Sequence, residues 1–262
     1  MAEMHPLRSD DQIPSESFSC LNQEAVKLAQ SCEQTTVPSL DHLRMSDYNV
    51  VYEPSDDTFL MLDALAHEFD NENLKRMKNV KYVLELGCGT GVSTIFLGML
   101  MKKAKLDPKV GARLFATDIN QDALRVTRET AEANEILDIL ETHQCDLATP
   151  LLKELEHKCD VIIFNPPYVP TPDDEVGSDG IEASWAGGKD GRVVFDRAVP
   201  QIARLLSWPH GTAYIIAVDD NKPEEIASLM MREYGIIVKP FFRRRARNEF
   251  LSVLKCTLSR KL

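Results

Sequence analysis

The chain has 262 residues, 44% of them hydrophobic and 27% charged, which is enough apolar material for one sizeable core. Its formal net charge is −11. An acidic balance disfavours non-specific binding to nucleic acid, where Lys and Arg must meet phosphate, and favours a protein or small-molecule substrate.

Residues 1–47 are rich in Ser, Gln, Asp and Glu, carry Pro6, Pro14 and Pro38, and show no pattern dense enough for a core. They are expected to form an N-terminal extension that is mobile, with Leu21–Gln34 able to form a short helix. From Asn49 the pattern changes. Ser55, Asp56 or Asp57 can cap a helix whose apolar positions Phe59, Leu62, Leu65, Ala66 and Phe69 follow helical spacing. Val80–Leu86 is a short apolar run ending in glycines and reads as a buried strand. Val92–Lys103 is predicted helical, Arg113–Ile119 a second strand, and Gln121–Glu135 a second helix of this alternating series. Residues 139–146 give a weaker third strand, and Asp160–Phe164 a strongly apolar fourth. Gly191–Leu206 is predicted helical, Thr212–Val218 a fifth strand, and Lys222–Glu233 a helix with Pro223 in its first turn. Ile236–Arg243 and Glu249–Leu258 close the chain as neighbouring strands.

Strands alternating with helices predict an α/β chain, with a mostly parallel sheet covered on both faces. The Arg-rich connection between the last two strands is too short for a helical crossover, so those strands pair antiparallel. The basic segment Arg243–Arg247 reads either as a solvated hairpin tip or as a contact for ribosomal or tRNA-like surfaces. The six cysteines form no CxxC pair, so no metal centre is expected, and scattered single cysteines fit a reducing compartment. No N-terminal run resembles a signal peptide and no 18-residue apolar stretch resembles a membrane helix; the expected location is cytoplasmic or nuclear.

The first strand runs into Gly87-Cys-Gly89-Thr-Gly91, with Glu85 two positions ahead. Glycines here allow a sharp turn and a close approach of backbone to a ligand; a tight strand–helix turn is the alternative. Asp118 ends the second strand, where its carboxylate can accept from both hydroxyls of a ribose or cap the next helix. Asp146 and Leu147 end the third strand; the Asp can accept from an adenine amino group while the Leu147 N–H donates to the ring, or the Asp is a solvated turn residue. Open α/β sheets bind ligands at this carboxyl edge.

The fourth strand runs into Asn165-Pro166-Pro167-Tyr168. A residue before proline is pushed toward extended geometry, and two prolines remove two N–H donors, so the local backbone offers only acceptors. Asn165 adds a side-chain carbonyl, and Tyr168 a flat face for stacking. This set suits a substrate –NH2. An amide or aromatic amino nitrogen has a delocalised lone pair; holding both hydrogens on acceptors aims that pair at a methyl donor.

With these segments in view, the chain resembles the HemK-type release-factor glutamine methyltransferases, in their eukaryotic cytosolic branch. The matching segments are Val51–Phe59 (VYEPSDDTF), the glycine loop, Thr117–Asn120, Phe164–Val169, Glu175–Gly188 (EVGSDGIEASWAGG) and Asp190–Arg192. The tetrapeptide alone is shared with adenine amino-methyltransferases; the first and fifth segments are far more specific. The resemblance implies a Rossmann-like class I methyltransferase domain over residues 48–262, with a seven-stranded, mostly parallel sheet whose last hairpin is antiparallel. It implies S-adenosyl-L-methionine as cofactor, contacted by Thr58, Glu85, Gly87, Asp118, Asp146, Leu147 and Asn165, with Gly89 and Gly91 completing the loop. It implies, as acceptor, the glutamine of the Gly-Gly-Gln motif in a class I peptide chain release factor, held by Asn165 and the Pro166 carbonyl. It further implies a small zinc-binding activator subunit on an apolar surface, and no membrane or direct nucleic-acid substrate. Some members of the family also methylate lysine. On the residues alone, three acceptors stay open: a glutamine amide, a lysine (for which the acidic Asp173, Asp174 and Glu175 argue), and an adenine amino group.

Overall fold

In Val161-Ile-Ile-Phe every residue is apolar, and such a strand needs cover on both faces. In the computed structural model, which describes residues 18–31, 37–69, 77, 79–104, 112–177, 180–247 and 249–261, it has that cover. Val161 and Ile163 pack on one side of the sheet, Ile162 and Phe164 on the other.

The strands are β1 Tyr82–Leu86, β2 Arg113–Asp118, β3 Leu140–Gln144, β4 Val161–Phe164, β5 Thr212–Val218, β6 Ile236–Ala246 and β7 Glu249–Leu258. They form one sheet in the order β3-β2-β1-β4-β5-β7-β6. The first five are parallel; β7 runs antiparallel to both β5 and β6, as the short connection requires. The helices are α1 Phe18–Ser31, α2 Asp56–Phe69, α3 Val92–Lys103, α4 Gln121–Ala133, α5 Val193–Leu205 and α6 Pro223–Tyr234. On one face Leu60, Leu65, Ile95 and Leu97 of α2 and α3 pack with Val83, Ile163 and Tyr214. On the other, Phe195 and Ile202 of α5 and Ile226 and Met230 of α6 pack with Leu84, Phe115 and Ile162. Each large apolar side chain buried this way contributes about 1.5–3 kcal/mol.

The element boundaries shift from expectation where polar groups intervene. The helix expected over Gln121–Glu135 stops at Ala133, because the Asn134 side chain donates to the Thr130 carbonyl at 2.9 Å and Glu135 turns left-handed. Within the expected mobile extension, Phe18–Ser31 is a packed element: α1 lies along β6, with Ala29 in the core on one face and Phe18 against the core on the other. Residues 1–17 and 32–36 lie outside the described residues.

Of the basic segment, only Arg247 lies at the exposed hairpin turn. β6 continues to Ala246, so Arg243, Arg244 and Arg245 are strand residues paired with Ser252, Leu251 and Phe250. Arg243 is buried, donating to Ser252 Oγ at 2.8 Å and Asp219 Oδ2 at 2.7 Å and stacking over the Phe250 ring at 4.5 Å. Arg244 donates to Asp63 Oδ2 at 2.6 Å. These charges are engaged within the fold, which weighs against a nucleic-acid surface. Replacing Arg243 by Ala is expected to lower the unfolding free energy by about 1.5–3 kcal/mol, since a charge-assisted bond is lost and its partners are left behind. Arg247→Ala, on an exposed residue, is expected to change it by less than about 0.5 kcal/mol. Urea denaturation of the two variants checks the contrast.

Candidate active site

The strand order reverses between β1 and β4, and a cavity of about 780 Å³ opens at the carboxyl ends of the strands around that switch point. Gly87, Gly89 and Gly91 all take positive φ, at 65°, 52° and 75°. A side chain at Gly87 or Gly89 would meet no protein atom, so bare backbone faces the cavity there. Gly91 differs: its Cβ would lie 2.7 Å from Thr127 Cγ2, and it does not line the cavity. It serves the close approach of α4, not the ligand wall.

Two carboxylates brace this loop. Glu85 is buried at the end of β1, and its Oε2 accepts from the Thr94 N–H at 3.2 Å and Thr94 Oγ1 at 2.6 Å. Burial pushes its carboxyl up to about 7, against the pull of those hydrogen bonds. Asp118 accepts from the Gly89 N–H at 3.1 Å and the Asn120 N–H at 2.9 Å, and burial raises it too. The cap of α4 is Asn120, which accepts from the Asp122 N–H at 2.9 Å and donates to the Val50 carbonyl at 2.7 Å. Asp118 is thereby left with its free lone pairs at the cavity. Asp146 and Leu147 line it after β3; Asp146 is paired with Arg197 of α5, and Leu147 holds a left-handed φ of 54°.

The tetrapeptide forms another part of the wall. Asn165 donates through Nδ2 to Asp57 Oδ2 at 2.9 Å, and Tyr168 donates through its hydroxyl to the same oxygen at 3.3 Å. Tyr52 reaches both Asp57 oxygens at 3.3 Å, and the Thr58 N–H gives Oδ1 a 2.7 Å bond. Burial, with the Asp57 charge second, raises the Tyr52 and Tyr168 phenols well above their ordinary range. A carboxylate only accepts, so the –NH2 end of Asn165 must face Asp57. Its Oδ1 is then buried and has no hydrogen-bond partner among the described residues. Such an atom is costly unless a ligand supplies a donor.

Thr58, Glu85, Gly87, Gly89, Asp118, Asp146, Leu147 and Asn165–Tyr168 therefore meet around one cavity, and Gly91 stands behind it. Sequence reasoning missed Asp57 as a site residue. Its signal was two adjacent acids before an apolar helix, which reads as capping. Tyr52 and Trp185, which also line the cavity, were marked only as parts of the family-specific segments, and Arg197 carried no signal.

A doubly covered sheet in this order, with a bare glycine turn and an open acceptor at the end of β4, defines a class I methyltransferase. Residues 63–182 match the family described as Methyltransferase small domain. The human protein named Methyltransferase HEMK2 is 40% identical over 227 residues, covering 87% of this chain and 99% of that protein. The Schizosaccharomyces pombe protein named eRF1 methyltransferase catalytic subunit mtq2 is 35% identical over 231 residues, covering 84% and 94%. Among solved structures, the E. cuniculi Mtq2–Trm112 complex, responsible for methylation of the eRF1 translation termination factor, matches with a TM-score of 0.55 and 27% identity, covering 80% of this chain and 99% of that one. The chain belongs to the HEMK2/Mtq2 methyltransferase family.

Its methyl donor is S-adenosyl-L-methionine. The residues present fit that group. Bare backbone at Gly87 and Gly89, the inward lone pairs of Asp118 and the buried Glu85 suit a ligand carrying hydroxyls and a cationic head.

The raised Glu85 carboxyl has a signed consequence for the ligand-free chain. A folded-state pKa of about 7, above the ordinary 4.5, means the folded chain holds this proton more tightly than the unfolded one. The resulting stabilisation is complete below 4.5 and is lost as pH rises through about 7. Glu85→Gln keeps an acceptor for Thr94 and removes the titration. Its thermal midpoint is expected to exceed the wild-type value at pH 8 and to approach it at pH 5; melting curves at the two pH values check this.

Proposed function

We propose that the chain transfers the methyl group of S-adenosyl-L-methionine to the side-chain amide nitrogen of the glutamine in the Gly-Gly-Gln motif of a class I peptide chain release factor. The observation that carries this reading is Asn165 Oδ1: buried, unpartnered and fixed in orientation by Asp57. It awaits one N–H. The Pro166 carbonyl takes the second, and the flat Tyr168 ring bounds the planar amide.

The bound cofactor supplies an electrophilic methyl on a sulfonium. Asn165, Pro166, Pro167 and Tyr168 then do the rest by positioning. With both amide hydrogens accepted, the nitrogen lone pair stands out of the amide plane and toward the donor; as the C–N bond forms, the methyl–sulfur bond would break to leave neutral S-adenosylhomocysteine, and the methylated nitrogen would give one proton to solvent. Orientation of this kind contributes on the order of 7–11 kcal/mol to lowering a barrier. On the cofactor side, Glu85, Gly87, Gly89, Asp118, Asp146, Leu147 and Thr58 hold the donor.

The relatives' names support this acceptor. So does the saturation of Asp57. Its two oxygens already accept from Asn165, Tyr168, Tyr52 and Thr58, leaving a site that suits a neutral amide better than a lysine ammonium.

We further infer a small, zinc-binding partner subunit, as a heterodimer. The β6 edge of the sheet is covered by α1, while β3 is the opposite edge, flanked by the exposed Ile119 and Leu137. An uncovered edge with apolar flanks invites a partner. Expression of the chain alone is expected to give poorly soluble protein, and co-expression with the partner to give soluble complex; a stable, fully active lone chain would argue against the subunit. Cytoplasmic translation is the setting that such a substrate implies.

With labelled cofactor, the complex is expected to methylate release factor and to leave a Gly-Gly-Ala variant and an oligonucleotide unlabelled. Equal label on the Gly-Gly-Ala variant sinks the glutamine assignment. Asn165→Ala is expected to lower turnover by at least about 10²-fold, the loss typical of one preorganised acceptor or donor, with S-adenosylhomocysteine affinity largely kept. Collapse of that affinity would make Asn165 mainly a cofactor ligand.

A further inference from the structure

We propose that Asn221 is a positioning residue for this reaction, holding Tyr168 in place through its backbone carbonyl; the proposal rests on the acceptor reading above. Asn221 lies in the short turn Asp219–Asn221 after β5, is 3% exposed, and does not line the cavity. It acts on the site only through neighbours.

The geometry is determined from one side. Asn221 Oδ1 accepts from the Val218 N–H at 2.8 Å, which points its Nδ2 at three carbonyls: Tyr168 at 2.8 Å and Asp190 at 3.0 Å, with Gly191 longer at 3.4 Å. A flipped amide would set oxygen against oxygen at both short contacts. Three segments thus meet on one side chain: the end of β5, the last residue of the acceptor tetrapeptide, and the loop before α5. Gly191 makes the junction tight. Its φ is +64°, and a Cβ there would lie 2.0 Å from the Tyr168 carbonyl oxygen and 2.4 Å from Asn221 Nδ2. A side chain at Gly191 has no room.

The tetrapeptide needs this anchor. Pro166 and Pro167 have no N–H with which to tie the loop down. Beyond Tyr168, the Val169 N–H goes to the Trp185 carbonyl at 3.0 Å. Between them, the Tyr168 carbonyl is held by Asn221. The Tyr168 ring lines the cavity and its hydroxyl reaches Asp57, so a shift of this backbone moves both the stacking face and the hydrogen bond to the carboxylate that orients Asn165.

The test uses the full chain co-expressed with its partner subunit, acting on release factor. Asn221→Ala, Tyr168→Ala and the double variant are compared for kcat, KM for the factor, and Kd for S-adenosylhomocysteine. Asn221→Ala alone is expected to lower kcat on the order of 10- to 100-fold, the scale of a small misplacement at a reacting centre, with the S-adenosylhomocysteine Kd within about 2-fold of wild type. On the Tyr168→Ala background the same change is expected to cost less than about 2-fold, because the two residues act as a unit. Equal losses on both backgrounds, or a weakened Kd with kcat unchanged, would overturn the proposal and leave Asn221 a turn cap. Asn221→Ser, which keeps a hydroxyl for the Val218 N–H and loses both donations, replaces Asn221→Ala in the same cycle if the latter does not fold. A wild-type complex that methylates no release factor overturns the acceptor reading and this proposal together; wild-type activity with additive losses overturns this proposal alone.

Discussion

The 2.9 Å hydrogen bond from Asn165 Nδ2 to Asp57 Oδ2 fixes which end of an amide faces the cavity, and the acceptor site follows from it. An asparagine amide can lie either way round with almost no change in shape. Only a partner that accepts and cannot donate settles the choice, and a carboxylate is such a partner. With the –NH2 turned to Asp57, the carbonyl oxygen is left buried and unpaired, a state that costs roughly 1–3 kcal/mol until a donor arrives. The protein holds that cost in its resting fold because β4, buried on both faces, ends at Phe164 and fixes the start of Asn165.

Asp57 comes from the first turn of α2, far from the tetrapeptide in sequence but beside it in the fold. The same helix packs its apolar side on the sheet through Leu60, Leu62 and Leu65. Burial of that stripe sets where the helix N-terminus lies, and so where the carboxylate sits. Core packing and site geometry are here one constraint. The cofactor side is built in the same manner: Asp118 at the end of β2 holds the Gly89 N–H of the loop after β1, so the register of two parallel strands determines the shape of the glycine turn.

The parallel sheet, the helices and the antiparallel last hairpin were legible in the sequence because each rests on local pattern: apolar runs, glycine stops and a connection too short for a crossover. The placement of Glu85, Gly87, Gly89, Asp118, Asp146 and Leu147 around the cavity was legible for a related reason, since a strand end followed by Gly or Asp places a group at the carboxyl edge wherever the strand sits. Asp57 was not. Its role depends on a contact 108 positions away, and its local appearance is that of a helix cap. The arginines of β6 failed in the opposite direction. Four arginines within five residues suggest an exposed turn, yet Asp219, Ser252 and Asp63 bond Arg243 and Arg244, and the strand runs on to Ala246. In each case a long-range partner overrode the local pattern. The family resemblance, not the physics of the tetrapeptide, narrows an –NH2 to a glutamine amide.

The electrostatics of the acceptor site bear on that narrowing. A bare buried carboxylate would attract an ammonium, and an acidic chain supplies many carboxylates. Asp57 is not bare: two phenols, an amide and a backbone N–H converge on it. Each donor removes part of the field that a bound substrate would feel, and the raised phenols of Tyr52 and Tyr168 keep their protons, and hence their donations, throughout the neutral range. The surface then presented inward is a carbonyl oxygen and an aromatic face. Both suit a neutral, planar group with two N–H donors, and neither carries the counter-charge that a buried ammonium needs for full pairing. A lysine entering this site would therefore have to shed its proton before binding tightly, whereas a glutamine amide arrives in the state the site already matches.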